Sequence, residues 1–157
     1  MKQAEESLKN KNSQDWSHKV QSVSKLRNYI TFKNDYCMEK YLISNLSKLE
    51  RSHLAQFRFG ILPIRIETGR FTRLNISERV CQICNNGSIE DEIHFLLTCP
   101  AYDDLRGSLI SRAQQKNPSF NTLYNLDKFK FCVFELYNQV AKFLVGSMKK
   151  RRGFLYK

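Results

Sequence analysis

Apolar residues recur along this chain mainly at three- and four-residue steps, the spacing of helices that bury one face. The segment "SKLRNYITFK" (24–33) places Leu26, Tyr29 and Ile30 at i, i+3 and i+4. "DYCMEKYLISNLSKLERSHLAQFRFGI" (35–61) keeps Tyr36, Met38, Tyr41, Leu42, Leu46, Leu49, Leu54, Phe57 and Ile61 on roughly helical spacing, and predicts one long helix or two. Asp35 suits a first turn there, and Gly60 with Pro63 ends the run. Further helices are predicted over about 101–115, ended by Asn117 and Pro118, and over 125–134 through Leu126, Phe129 and Val133. A last one over 138–152 aligns Val140, Phe143, Leu144 and Met148 on one face. Residues 1–12 are polar and predict a disordered tail, with Ser13 placed to cap a short helix containing Trp16 and Val20. Residues 63–80, "PIRIETGRFTRLNISERV", show no helical period and read as an irregular connector, longer than most structureless loops.

Between connector and later helices lies "ERVCQICNNGSIEDEIHFLLTCPAYDDLR" (78–106), which spaces its ligand-bearing residues as Cys81-x2-Cys84-x9-His94-x4-Cys99. Three thiols and an imidazole are the donor set of a tetrahedral zinc site. Cys81 to Cys84 suits a tight turn whose amides face the sulfurs, and Gly87 in "NNGS" is free to take positive φ. "IEDEIHFLLT" (89–98) predicts a helix whose Ile89, Ile93, Leu96 and Leu97 face the core, with Glu90 or Asp91 placed to hold the second ring nitrogen of His94. On a continuous helix Cys99 would point about 140° away from His94. Pro100 breaks that helix and starts another, so Cys99 falls at a corner, and Asp103 and Asp104 enter the new helix's first turns. A disulfide needs an oxidising compartment, a redox Cys-x-x-Cys wants a βαβ setting, and a nucleophilic Cys–His pair lacks a third group to orient it. Buried cysteines gathered by chance are the remaining alternative. Four protein ligands leave no open position, so the expectation is a structural Zn2+ with no catalytic residue. Glu90, Asp91 and Glu92 would make this face acidic. Cys37 and Cys132 sit among apolar residues and read as core, and His18 and His53 as lone histidines.

The predicted fold class is thus mostly α: a small helical domain with an embedded Cys-Cys-His-Cys zinc-binding lobe. Residues 1–12 are the tail, 13–62 a helical segment, and 63–157 the arginine-rich connector, zinc lobe and C-terminal helices, packed with 13–62 as one compact domain.

Charge adds a partner. Lysine and arginine number 26 against 15 acidic residues, a net +11 over 157 residues, which favours a polyanion such as RNA or DNA, or an acidic lipid, the alternative being a basic protein with a solvated surface. Arg58, Arg65, Arg70 and Arg73 cluster in a stretch without lysine, and Phe59 and Phe71 interleave with them as candidate stacking platforms. Lys149, Lys150, Arg151 and Arg152 form a second cluster. The alternatives are that Arg65 or Arg70 pairs with Glu67, and that the terminal cluster is a solvated helix end. No apolar run approaches a bilayer span, and the polar N-terminus lacks a secretory h-region. The expected location is therefore intracellular, nuclear or cytoplasmic, which makes the sequons at Asn45, Asn75 and Asn86 chance matches.

"LAQFRFGILPIRIETGRF", "ERVCQIC" and "IEDEIHFLLTCPAYDDLR", in that order, strongly resemble the segment that follows the polymerase domain in non-LTR retrotransposon reverse transcriptases, over about residues 24–157. The resemblance implies that Cys81, Cys84, His94 and Cys99 correspond to that family's zinc ligands. It also implies a role in holding template RNA or target DNA for the polymerase; the alternative is a structural or protein-interaction lobe whose connector docks on a polymerase domain. The chain has no paired-aspartate polymerase motif and no endonuclease signature, so no enzyme activity of its own is expected; Asp103-Asp104 falls in a predicted helix.

Overall fold

A computed structural model describes residues 2–155 except 27, 32 and 34, with the side chains of 2 and 25 also left aside. Among the described residues the fold is helical, with a single isolated antiparallel bridge between Val80 and Ile89. Six α-helices run in order: α1 (Lys2–Ser22), α2 (Lys48–Arg58), α3 (Arg65–Phe71), α4 (Asp103–Lys116), α5 (Asn125–Glu135) and α6 (Tyr137–Leu155). The long α6 is the hub, packing against α2, α4 and α5. Its Val140, Ala141, Phe143 and Leu144 are buried, and so are Leu54 and Phe57 of α2, Leu109 and Ala113 of α4, and Phe129, Cys132 and Val133 of α5. Cys132 is core, as expected. No described helix is long and apolar enough to cross a membrane.

The ends of α2 follow directly from sequence. Ser47 accepts a hydrogen bond from the Glu50 amide while the Glu50 carboxylate accepts one from the Ser47 amide, a reciprocal capping box. At the other end Gly60 takes φ 68°, and the Ile61 amide reaches back to the Gln56 carbonyl at 2.9 Å, which is the Schellman closure.

Four local expectations change. Residues 2–12 are helical, joined in α1 to the expected short helix containing Trp16 and Val20, so Ser13 lies mid-helix. Ala4, Glu5, Glu6, Leu8 and Lys9 are good helix formers, and Glu5 precedes Lys9 by one turn. Residues 3–12 are nonetheless solvent-exposed. Among the described residues of 24–33 the expected helix is replaced by two short 3-10 turns, Ser24–Leu26 and Tyr29–Thr31. The helix expected from Asp35 begins at Lys48, because the Ser47–Glu50 box supplies the cap. Upstream of it Tyr41 and Leu46 are buried, whereas Met38 and Ile43 face solvent. Finally, the connector is not structureless, since it contains α3 and a 3-10 turn at Ile76–Glu78.

Arg79 holds that connector down. Its guanidinium donates to the Leu74 carbonyl through Nε (3.1 Å) and Nη2 (2.8 Å), and to the Ile66 carbonyl through Nη1 (2.9 Å). The side chain crosses Gly69 so closely that a Cβ there would lie 2.6 Å from Arg79 Cγ and 2.9 Å from Cδ. Gly69→Ala should therefore destabilise the chain by about 1–3 kcal/mol, since overpacking outweighs the helix-propensity gain. A lowered urea midpoint with an unchanged m-value is the expected readout.

Candidate metal centre

Cys81, Cys84, His94 and Cys99 come together from three separate pieces of backbone. One sulfur or ring-nitrogen atom from each lies within 4.8 Å of all the others, so the cluster could hold a metal ion. Cys81, His94 and Cys99 are buried, and Cys84 sits at the rim.

The first piece is a small hairpin. Around the Val80–Ile89 bridge, the Cys81 amide donates to the Ser88 carbonyl (2.8 Å) and the Glu90 amide to the Arg79 carbonyl (2.9 Å). Its tip is the knuckle 82–84, where the amides of Ile83 and Cys84 point at the Cys81 sulfur. Asn85 and Gly87 take positive φ, 52° and 77°, to turn the chain back. Asn86 Oδ1 braces the tip, accepting from the Ser88 amide at 3.0 Å and lying 3.1 Å from Cys84 Sγ.

The second piece is a helical turn that begins later than expected, at residue 92, because Ile89 is in the bridge. Over His94–Thr98 it widens to a π turn, closed by the Cys99 amide on the His94 carbonyl at 2.7 Å. That i to i+5 closure, together with the extended Cys99 (φ −69°, ψ 116°), cancels the angular offset of an α-helix. The Pro100 break was legible in sequence; the π turn was not.

The third piece is the corner itself. Pro100 opens a 3-10 turn that runs into α4, and the Ala101 amide faces the Cys99 sulfur. Arg106 of α4 reaches back to satisfy two carbonyls, Leu96 (Nε, 2.8 Å) and Cys99 (Nη2, 2.7 Å), while pairing with Asp103. Phe95, Tyr102 and Phe143 then lock the corner onto α6 through edge-on ring contacts at 5.0–6.3 Å.

The donor spacing passes a simple test. A tetrahedral ion with bonds of about 2.3 Å to sulfur and 2.0–2.1 Å to nitrogen sets sulfur–sulfur edges near ~3.8 Å and sulfur–nitrogen edges near ~3.6 Å. Cys81 Sγ to Cys99 Sγ is 3.9 Å, and Cys84 Sγ to His94 Nε2 is 3.5 Å. Burial pushes the Cys81 thiol up to about 12, raises the Cys99 thiol as well, and lowers the imidazole of His94. The metal-free cluster therefore holds protonated buried thiols and a neutral ring. Compensating a cation is the chemistry open to it.

The surroundings differ from expectation. The second nitrogen of His94, Nδ1, meets Thr98 Oγ1 at 3.2 Å, not Glu90 or Asp91. Asp91 instead accepts from the His94 backbone amide at 2.7 Å. Glu90 is fully buried: Arg151 of α6 grips it with both terminal nitrogens, the Arg65 amide donates to it at 2.7 Å, and Cys81 Sγ lies 3.6 Å away. Glu92 is also buried, leaving Asp91 as the only half-exposed acid of the three, so this face is less acidic than the sequence implied.

The basic residues divide into two sets. Arg58 is buried, donating to the Val133 carbonyl (3.1 Å) and to Glu39 (2.7 Å), and Arg151 is buried on Glu90; neither is placed to touch a phosphate. Arg70 pairs with Glu67 at 3.0 Å, as the alternative reading had it, and Lys150 with Asp104 at 2.7 Å. Arg65 is half-buried, and Phe59 is half-buried against Tyr29, ring centroids 4.9 Å apart, so it offers no open platform. Arg73, Lys149, Arg152 and Phe71 are exposed. Cys37, expected in the core, is exposed with Lys33 Nζ 3.0 Å from its sulfur. The missed participants, Thr98, Asn86 and the Glu90–Arg151 pair, carry no spacing signal; only the fold brings residues 61 positions apart into contact.

Compared with protein-family models, with curated proteins and with solved structures, the chain matches none.

Proposed function

We propose that this chain is a zinc-stabilised module that binds RNA or DNA mainly through phosphate, without polymerase activity of its own. Zinc is favoured because three thiols and one imidazole, all within 4.8 Å of one another and with two edges at tetrahedral length, suit a borderline-soft ion with no open coordination position. The observation that carries nucleic-acid binding is the charge left over once the internal pairs are made. Arg73, Lys149 and Arg152 stand exposed, and none enters an ion pair among the described residues, in a chain of net +11. The resemblance of residues 24–157 to the region behind the polymerase of non-LTR retrotransposon reverse transcriptases supports the same reading.

Fluorescence anisotropy with labelled single-stranded RNA and DNA across a salt series tests it. Log affinity should fall linearly with log salt, and replacing Lys149 and Arg152 by Gln should flatten the slope by about 1.5, the worth of two phosphate contacts. An unchanged slope would clear the end of α6 of that role. A second reading, docking on a polymerase domain, is favoured by the exposure of Phe71 (78 %) and Ile76 (62 %) on the connector. Absence of nucleic-acid binding at moderate salt would favour that reading.

A further inference from the structure

Beside the metal centre is a cleft of about 480 Å³, bounded by α2, the turn into α3, the knuckle and the last turns of α6. Its apolar lining comes from Pro63, Met148 and Leu155, and polar side chains come from His53, Gln56, Thr68 and Gln82. Among the described residues no carboxylate lines it. Of its two arginines, Arg151 is neutralised by Glu90, whereas Arg152 is exposed and brings an uncompensated charge. Gln82 lies between two of the clustered cysteines, so the hairpin that gathers Cys81 and Cys84 also fixes one wall of the cleft.

Those features match one kind of ligand. The volume falls within the 300–1,000 Å³ common for small-ligand sites and is too small for a duplex. An unpaired nucleobase has an apolar face and an edge that mixes donors with acceptors, and a primary amide presents both. A guanidinium meets the attached phosphate or stacks on the ring.

We propose that this cleft takes one unpaired nucleotide of a single strand, with its base against Met148 and Pro63, its edge read by Gln56 and Gln82, and its phosphate met by Arg152. The inference rests on the nucleic-acid reading above and gives it a place: the strand runs past the knuckle and the last turns of α6. Because the reading groups are two flexible amides, the cleft prefers unpaired over paired nucleotides more strongly than it prefers one base over another.

The test uses the full, metal-loaded chain and two labelled oligonucleotides of equal length and charge, one ordinary and one with abasic sites. The ordinary strand should bind about tenfold more tightly at the same salt, the scale of one base accommodated by a protein surface. Gln56→Ala and Gln82→Ala should each weaken it about fivefold, a lost neutral hydrogen bond, while leaving the abasic strand's affinity and both salt slopes unchanged. Equal binding of the two strands, or of duplex and single strand, would overturn the cleft and leave phosphate binding standing. Binding of neither strand would overturn the nucleic-acid reading itself, and the cleft with it.

Discussion

The purified chain is expected to carry one zinc per molecule, and a strong chelator should lower its melting temperature by at least 10 °C. Two features set that scale. Cys81 and Cys99 are at most 1 % exposed, so without an ion the protein must bury thiols whose best partners are one another. The hairpin also buries little apolar surface of its own, since Val80 and Ile89 are each 36 % exposed. Structural zinc contributes roughly 10–16 kcal/mol to isolated zinc-finger peptides. Here part of that is spent on ordering the knuckle, and α2, α4, α5 and α6 retain a core without the metal. A net loss of about 5 kcal/mol corresponds to 10–20 °C for a chain this long. Cys84→Ser should reproduce most of the chelator effect in a single substitution, with helical circular dichroism falling less than the melting temperature does. Metal binding must displace protons from the raised thiols of Cys81 and Cys99, so affinity should fall as pH falls. A metal-free preparation that melts at the same temperature with and without chelator would defeat the assignment.

What the sequence made legible follows from the range over which each signal acts. The Pro100 corner, the Gly60 stop and helices α4 to α6 are set by residues within a turn or two of each other, and the four clustered residues by donor types spaced over nineteen positions; all are legible in the sequence. Expectation and structure part where local periodicity competes with a stronger local or tertiary signal. The run from Asp35 looked helical by apolar spacing, yet the Ser47–Glu50 box fixes the start twelve residues later. The connector lacked a period because α3 is only two turns long, too short for a pattern to emerge. Arginines were the hardest to interpret. Arg58 and Arg73 are indistinguishable as members of a basic cluster, but one is buried against Glu39 and the other faces solvent at φ 56°. Composition counts charge and says nothing of which charges the fold consumes.

The "KKRR" cluster shows the consequence most clearly, because one of its arginines is expected to be among the most sensitive positions in the chain. Arg151→Met would leave the Glu90 carboxylate fully buried with a single backbone donor, the Arg65 amide, and beside the Cys81 sulfur. Removing one partner of a buried ion pair costs about 3–5 kcal/mol, or a drop of roughly 10–15 °C. Arg152→Gln, one residue along and exposed, should move stability by no more than about 0.5 kcal/mol. The contrast separates structure from binding within one tetrapeptide. Restoring neutrality is the sharper control: the double variant Glu90→Gln/Arg151→Met should recover a large part of the loss, since the unpaired buried charge, not the missing contact, dominates it. The pair also bears on the metal. Three thiolates around a divalent ion carry one net negative charge, and Glu90 adds a second next to Cys81; Arg151 offsets it. In Arg151→Met zinc should therefore bind more weakly, and in the double variant its affinity should return toward that of the unaltered chain. If Arg151→Met and Arg152→Gln were equally mild in both stability and zinc affinity, the link from α6 through Glu90 to the metal centre would be broken.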